Sequence, residues 1–128
     1  MYETTVTLVG KVVGEIAKRR YENDTRLTRF RLMSKERRYD PEADKWVDGH
    51  TMFVSVNCWR RLGENVAVSL SRGDYVVVTG RLYHREYESE NQQRLSVELD
   101  AVSVGPDLSR CATTITSRLF DDQPLAAA

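Results

Sequence analysis

Thr51-Met52-Phe53-Val54-Ser55-Val56-Asn57-Cys58-Trp59 runs without a break into Arg60-Arg61-Leu62-Gly63-Glu64-Asn65-Val66-Ala67-Val68-Ser69-Leu70, and over those twenty residues the apolar spacing changes from two to four. The first half alternates as a strand does, which sorts its side chains onto two faces. Met52, Val54, Val56 and Cys58 form the expected core face, and Phe53, Ser55, Asn57 and Trp59 the other. The second half sets Leu62, Val66 and Leu70 on one helical stripe, which Arg72-Gly73 ends. Working outward, four more stretches alternate with period two: residues 5–13 and 26–33 before it, 74–83 and 94–102 after it. Asn23-Asp24 is a turn signal between the first two, and the polar residues 88–93 form a hairpin tip between the last two.

The order β-β-β-α-β-β in about one hundred residues fits a small, partly open barrel with a plug helix. The expected fold class is therefore all-β, an OB-fold five-stranded Greek-key barrel with one helix between strands 3 and 4. Residues 1–106 form the domain. Residues 107–120, polar and rich in Ser and Thr, form a C-terminal extension that could add a strand or wrap a neighbouring subunit, and 121–128 a disordered tail. A chain of 128 residues buries enough apolar surface to fold without staples, so Cys58 and Cys111 need not be bridged.

Several function classes drop out. No apolar run approaches the roughly 18–20 residues of a membrane span, and the amino terminus lacks a secretory pattern, so the expected address is cytoplasmic. His50 and His84 have no ligand-spaced partners, which implies no metal. Cys58 reads as a core residue and Cys111 has no activating neighbour. With no glycine-rich phosphate loop and no nucleophile–base pair, neither an enzyme nor a cofactor is expected.

Charge is more informative. The 19 basic and 19 acidic residues cancel, which taken alone argues against a nucleic-acid partner. Yet residues 11–38 hold ten basic and four acidic side chains, a local excess of +6 that the remainder offsets. Aromatics recur beside the basic residues. Phe53 and Trp59 project from a strand face whose other residues are polar. Tyr39 and Trp46 bracket an expected loop over 38–46, and Tyr87 precedes the 88–93 tip; Arg37, Arg38, Lys45, Arg60, Arg61, Arg81 and Arg85 lie close in sequence. Basic residues interleaved with aromatics suit single-stranded nucleic acid, because every base offers a face to stack. The same aromatics would serve as anchors of a protein interface, and single-stranded RNA stacks as DNA does.

Thr7-Leu8-Val9-Gly10-Lys11-Val12, Trp46-Val47-Asp48-Gly49, Phe53 to Arg60, Glu64-Asn65-Val66-Ala67, Ser69-Leu70-Ser71-Arg72-Gly73, Val78-Thr79-Gly80-Arg81-Leu82 and Val104-Gly105-Pro106 follow one another in an order that resembles the bacterial single-stranded DNA-binding proteins, above all the actinobacterial ones. The resemblance spans roughly residues 4–110. It implies sequence-independent binding and protection of single-stranded DNA in replication, recombination or repair, by a homotetramer associated with the nucleoid. Phe53, Trp59, Tyr39 and Tyr87 then stand as stacking aromatics, Phe53 where many members have Trp and Trp59 where many have Phe. Arg20, Arg61, Arg72 and Arg85 stand as basic residues along the strand's path, and Lys11 takes a place usually given to Asn. Residues 107–118 fall where actinobacterial members clasp a neighbouring subunit. The family's glycine-rich linker and acidic tip are echoed only by Asp121-Asp122-Gln123-Pro124-Leu125. The expectation is a short paralogue or a trimmed chain, with recruitment of repair and replication proteins through the tail in question. Loop acids beside Tyr39, Trp46 and Tyr87 predict binding that leans more on low salt and stacking than a net-basic barrel would show.

Overall fold

The structure is a computed structural model and describes residues 2–118. The expected tail at 121–128 and the end of the 107–120 extension lie outside those residues. Five strands and one helix follow in the expected order: β1 (Thr4–Arg20), β2 (Arg26–Asp40), β3 (Lys45–Trp59), α1 (Arg60–Ser69), β4 (Tyr75–Ser89) and β5 (Gln92–Pro106). The strands close into a barrel in the order β1-β2-β3-β5-β4. Four of the five junctions are antiparallel, and a short parallel pairing of β3 with β5, Ser55 to Asn57 against Glu98 to Asp100, closes the remaining gap.

Alternation fills the barrel. Val12, Phe30, Leu32, Val54, Val56 and Leu99 point inward and are buried, and Val66 and Leu70 of the helical stripe cap one end. Cys58 belongs to this core, as expected, and burial pushes its thiol up to about 12. Met52 does not: it is 42% exposed, because the core ends at Val54 and β3 before that point has left the barrel.

That departure also explains why β2 and β3 are longer than periodicity indicated. The expected loop over 38–46 is a continued ladder in which Arg38, Tyr39 and Asp40 pair with Val47, Trp46 and Lys45, and only residues 41–44 turn. Beyond the barrel neither face of a strand is covered, so no apolar alternation marks it, yet the backbone hydrogen bonds persist. The β4–β5 arm is built alike and turns at Glu90 and Asn91, both with left-handed backbone (φ 53° and 63°), the geometry of a tight hairpin turn.

At the other end of β3 the chain reverses through Arg60, whose φ of 55° is a strained choice for a side-chain-bearing residue. Gly63 lets α1 settle there, since a Cβ at that position would run into the carbonyl of Cys58. Trp59 is thereby held between a strand end and a helix start.

Residues 107–118 carry a turn at 108–110, closed by Arg110 N–H on the Asp107 carbonyl (3.0 Å), and otherwise neither helix nor strand.

Candidate nucleic-acid interface

Strand register arranges the outer surface of the barrel in rows. Lys11, Met33 and Phe53 pair across β1, β2 and β3. The next row is Val13, Arg31, Ser55, Glu98 and Tyr83, running on through β5 to β4. Ala17, Arg29, Asn57, Asp100 and Arg81 form the third, and Arg19, Leu27 and Trp59 the last. Phe53 and Trp59 thus stand at opposite ends of one face, six residues or about 20 Å apart at the usual strand rise. They are 44% and 37% exposed, well outside the core.

A polar network fills the space between them. Glu98 is 1% exposed although it points away from the core. Arg29 grips it with two hydrogen bonds, Nη1 to Oε1 at 2.7 Å and Nη2 to Oε2 at 3.0 Å. Ser96 Oγ donates to Oε2, Asn57 Nδ2 donates to Oε1 at 3.0 Å, and Arg85 lies 3.9 Å from Oε2. Burial works against ionisation here, but the donors from Arg29, Ser96 and Asn57 and the charge of Arg29 outweigh it and hold the carboxyl near 2. Asp100 continues the network, accepting from Asn57 (3.1 Å), Arg81 (2.7 Å) and Tyr83 (3.0 Å). Burial and that bond to Asp100 push the Tyr83 phenol up. Ser55 and Asn57, polar residues of an outward face, are consequently buried too. The surface between the aromatics is a connected lattice of hydrogen bonds and ion pairs spanning four strands.

Each end is different. At one, the Arg31 guanidinium lies over the Phe53 ring, 5.0 Å from its centroid, with Lys11 two strands away in the same row. At the other, Trp59 faces Tyr21 at 5.9 Å between centroids, and both line an open groove of about 730 Å³ with Arg19, Arg20 and Asn23. A second groove of about 430 Å³ continues past Arg19 and Arg20 toward α1, where Arg26 is paired with Glu64.

The remaining expected residues lie on the arms, on α1 and the turn beyond it, and on β1. Tyr39 and Trp46 are cross-strand partners in edge-to-face contact (5.8 Å, 73°), and the Tyr39 hydroxyl donates to Asp44. Tyr87 is exposed on the β4–β5 arm with Arg85 5.7 Å from its centroid. Arg61 is exposed in the first turn of α1. Arg72 lies in the turn beyond the helix, 3.8 Å from Glu15, and Lys11 reaches over Tyr75 at 5.9 Å. The structure therefore unites Arg20 with Trp59, and Arg85 with Tyr87. Arg61 stands on α1, and Arg72 in the turn whose Gly73 N–H bonds the Val12 carbonyl of β1 (2.8 Å).

Three residues that bear on this face were not singled out by the sequence. Arg31 could have been found, since alternation already set Arg29 and Arg31 on one side of β2 and only the register was missing. Arg19 and Tyr21 flank a bulge and a turn, where no periodic signal exists.

The model of the Single-strand binding protein family matches residues 3–107. The single-stranded DNA-binding protein of Corynebacterium glutamicum is 40% identical over 108 residues, 84% of this chain and 48% of its own length. That of Mycobacterium leprae is 38% identical over 107 residues, 83% of this chain and 64% of its own. The chain thus spans between about half and two thirds of the length of these relatives. Among solved structures, the small single-stranded DNA-binding protein from Streptomyces coelicolor is 41% identical with a TM-score of 0.79, covering 87% of this chain and 100% of that one. The second such protein from Mycobacterium smegmatis is 37% identical with a TM-score of 0.68, covering 91% and 100%. The expected OB-fold barrel and the actinobacterial resemblance are both borne out.

Proposed function

The chain belongs to the single-strand binding protein family, and from that premise we propose that it binds and protects single-stranded DNA without sequence preference, as a binder and not an enzyme. The observation that carries this reading is the outer face of β3, with Phe53 under Arg31 at one end and Trp59 beside Arg19 and Arg20 at the other. Bases stacked on those rings and phosphates neutralised by the neighbouring guanidinium groups give affinity that is indifferent to sequence and steep in salt. Arg85 with Tyr87, and Tyr39 with Trp46, would extend the path onto the arms, with Lys11, Arg61 and Arg72 meeting phosphates along the way.

Assembly into a homotetramer is part of the proposal and rests on family membership. Residues 107–118, exposed from 108 onward in the single chain, are the segment available to clasp a neighbour. Action in the cytoplasm, at the nucleoid during replication, recombination or repair, follows from the same reading. No helix among the described residues is long and apolar enough to cross a membrane.

The test is titration with poly(dT) at low salt, following the fluorescence of Trp46 and Trp59. Quenching that reverses on adding salt is expected. Unquenched fluorescence with no shift in sedimentation would overturn the reading, and light scattering of the free chain decides the tetramer.

A further inference from the structure

We propose that Tyr21 and Trp59 form a clamp that takes one unstacked base between them, which makes Tyr21 a binding residue in its own right. The proposal deepens the single-strand-binding reading and rests on it.

Trp59 is the fixed wall. It closes β3, caps α1 and stands beside the left-handed Arg60, so its backbone has little freedom. Tyr21 is the wall that can give. It lies just past β1 in the tip of the β1–β2 hairpin, held by its own N–H to the Thr25 carbonyl (2.8 Å) and by its carbonyl accepting from Asp24 (2.9 Å). The rest of that tip is exposed apart from a half-buried Thr25.

The spacing points to a wedge awaiting an insert. The ring centroids are 5.9 Å apart and the planes are inclined by 30°. Stacked rings touch at about 3.5 Å, so a base held between two rings needs them about 7 Å apart. An opening of roughly 1 Å at the tip converts the tilted pair into a sandwich. Empty, the two rings satisfy each other, since tilted aromatic pairs at such separations attract. Filled, each ring exchanges that contact for a whole base face.

The surroundings suit a nucleotide. Both rings line the same open groove of about 730 Å³, within the range of small-ligand sites. Arg19 lies 4.7 Å from the Tyr21 centroid and lines the groove with Arg20, so the phosphate of a clamped nucleotide has guanidinium groups within the same groove. Nothing in this geometry selects a base, because all four present a π-face.

The experiment is anisotropy of a labelled dT oligomer at several salt concentrations with the full chain, Tyr21→Leu, Tyr21→Phe, Trp59→Leu and the double variant. Leucine keeps an apolar side chain and removes the π-face, and far-UV circular dichroism checks that each variant folds. Tyr21→Leu should weaken binding about tenfold and Tyr21→Phe by less than about twofold. The double variant should bind within about twofold of Trp59→Leu, since one missing wall already ends the clamp. The salt slope of Tyr21→Leu should equal that of the parent, because no charge is lost. Parent-like binding by Tyr21→Leu while Trp59→Leu is weakened would overturn the clamp alone. So would losses that multiply in the double variant, or a reduced salt slope, which would make Tyr21 a support for Arg19. A parent chain that binds no oligomer would overturn the single-strand reading as well.

Discussion

The barrel wall between Phe53 and Trp59 and the two hairpin arms are cut from the same strands, yet they hold their charges in opposite ways. On the wall, Arg29 bonds Glu98 and Arg81 bonds Asp100, and Asn57 links the two pairs, so that the bonds cross four strands, with Glu98 fully buried. On the arms, Asp48 is shared loosely between Lys35 (3.5 Å) and Arg37 (3.8 Å), and Glu90 stands 3.9 Å from Arg94, all solvated. The contrast teaches that exposure, and not strand membership, decides what a charge does. Wall charges hold strands in place and so fix where Phe53 and Trp59 stand. Arm charges set only the field that an approaching polyanion meets.

If so, the wall must fail hardest when one of its charges goes. Glu98→Ala leaves Arg29 facing Asn57 alone, and losing one partner of a buried pair typically costs about 3–5 kcal/mol. Arg29 is a third exposed, which lowers the expectation to about 2–4 kcal/mol by urea unfolding. Asp48→Ala on the arm should change stability by less than about 0.5 kcal/mol. Equal effects would erase the distinction.

Acid sharpens the same comparison. The folded-state value of Glu98 lies near 2, below the ordinary 4.5, so the stability it contributes is fully present above about pH 4.5 and is lost as pH falls toward 2. The shift corresponds to up to about 3 kcal/mol. Urea midpoints of the parent should fall over that window, and those of Glu98→Gln should fall less steeply. Parallel curves would mean that other carboxylates govern acid sensitivity.

Binding should divide by region as stability does. Trp59→Ala and Phe53→Ala each remove a platform on a rigid wall and should weaken single-stranded DNA binding by about 1–3 kcal/mol, with little change in unfolding. Trp46→Ala, on an arm where the ring is 61% exposed and packs edge-on against Tyr39, should cost less than about 1 kcal/mol. A larger loss at Trp46 than at Trp59 would move the centre of the interface to the arms.

How much of this was legible in the sequence follows from the same physics. Where one strand face is buried, alternation is enforced, and the five strands, the stripe Leu62, Val66, Leu70 and the outward Phe53 and Trp59 could all be read directly. Where neither face is buried, the ladder leaves no apolar trace, and so Tyr39 and Trp46 read as loop residues and Met52 as core. Partners across strands were hidden for a different reason. Arg29 lies 69 residues from Glu98, and only the parallel closure of β3 on β5 brings them together. Tyr21 escaped because a turn has no period.

The smallest expected effect tests the arms most directly. Glu86, Glu88 and Glu90 are exposed on the β4–β5 arm beside Tyr87, and one of them partly neutralises Arg94. Replacing all three by Gln removes repulsion between the arm and phosphates and frees Arg94 to meet one. Solvated charges act over about 10 Å at 0.1 M salt and over about 30 Å at 0.01 M. The gain in affinity for dT oligomers should therefore be a few-fold in dilute buffer and shrink below about twofold at 0.2 M. One more phosphate contact would also steepen the log–log salt dependence by roughly 0.7 on a single strand. Stability should hold, since exposed pairs such as Glu90 with Arg94 contribute about 0–1 kcal/mol. Unchanged affinity in dilute buffer would mean that the strand never comes within a screening length of this arm, and Tyr87 would leave the interface with it.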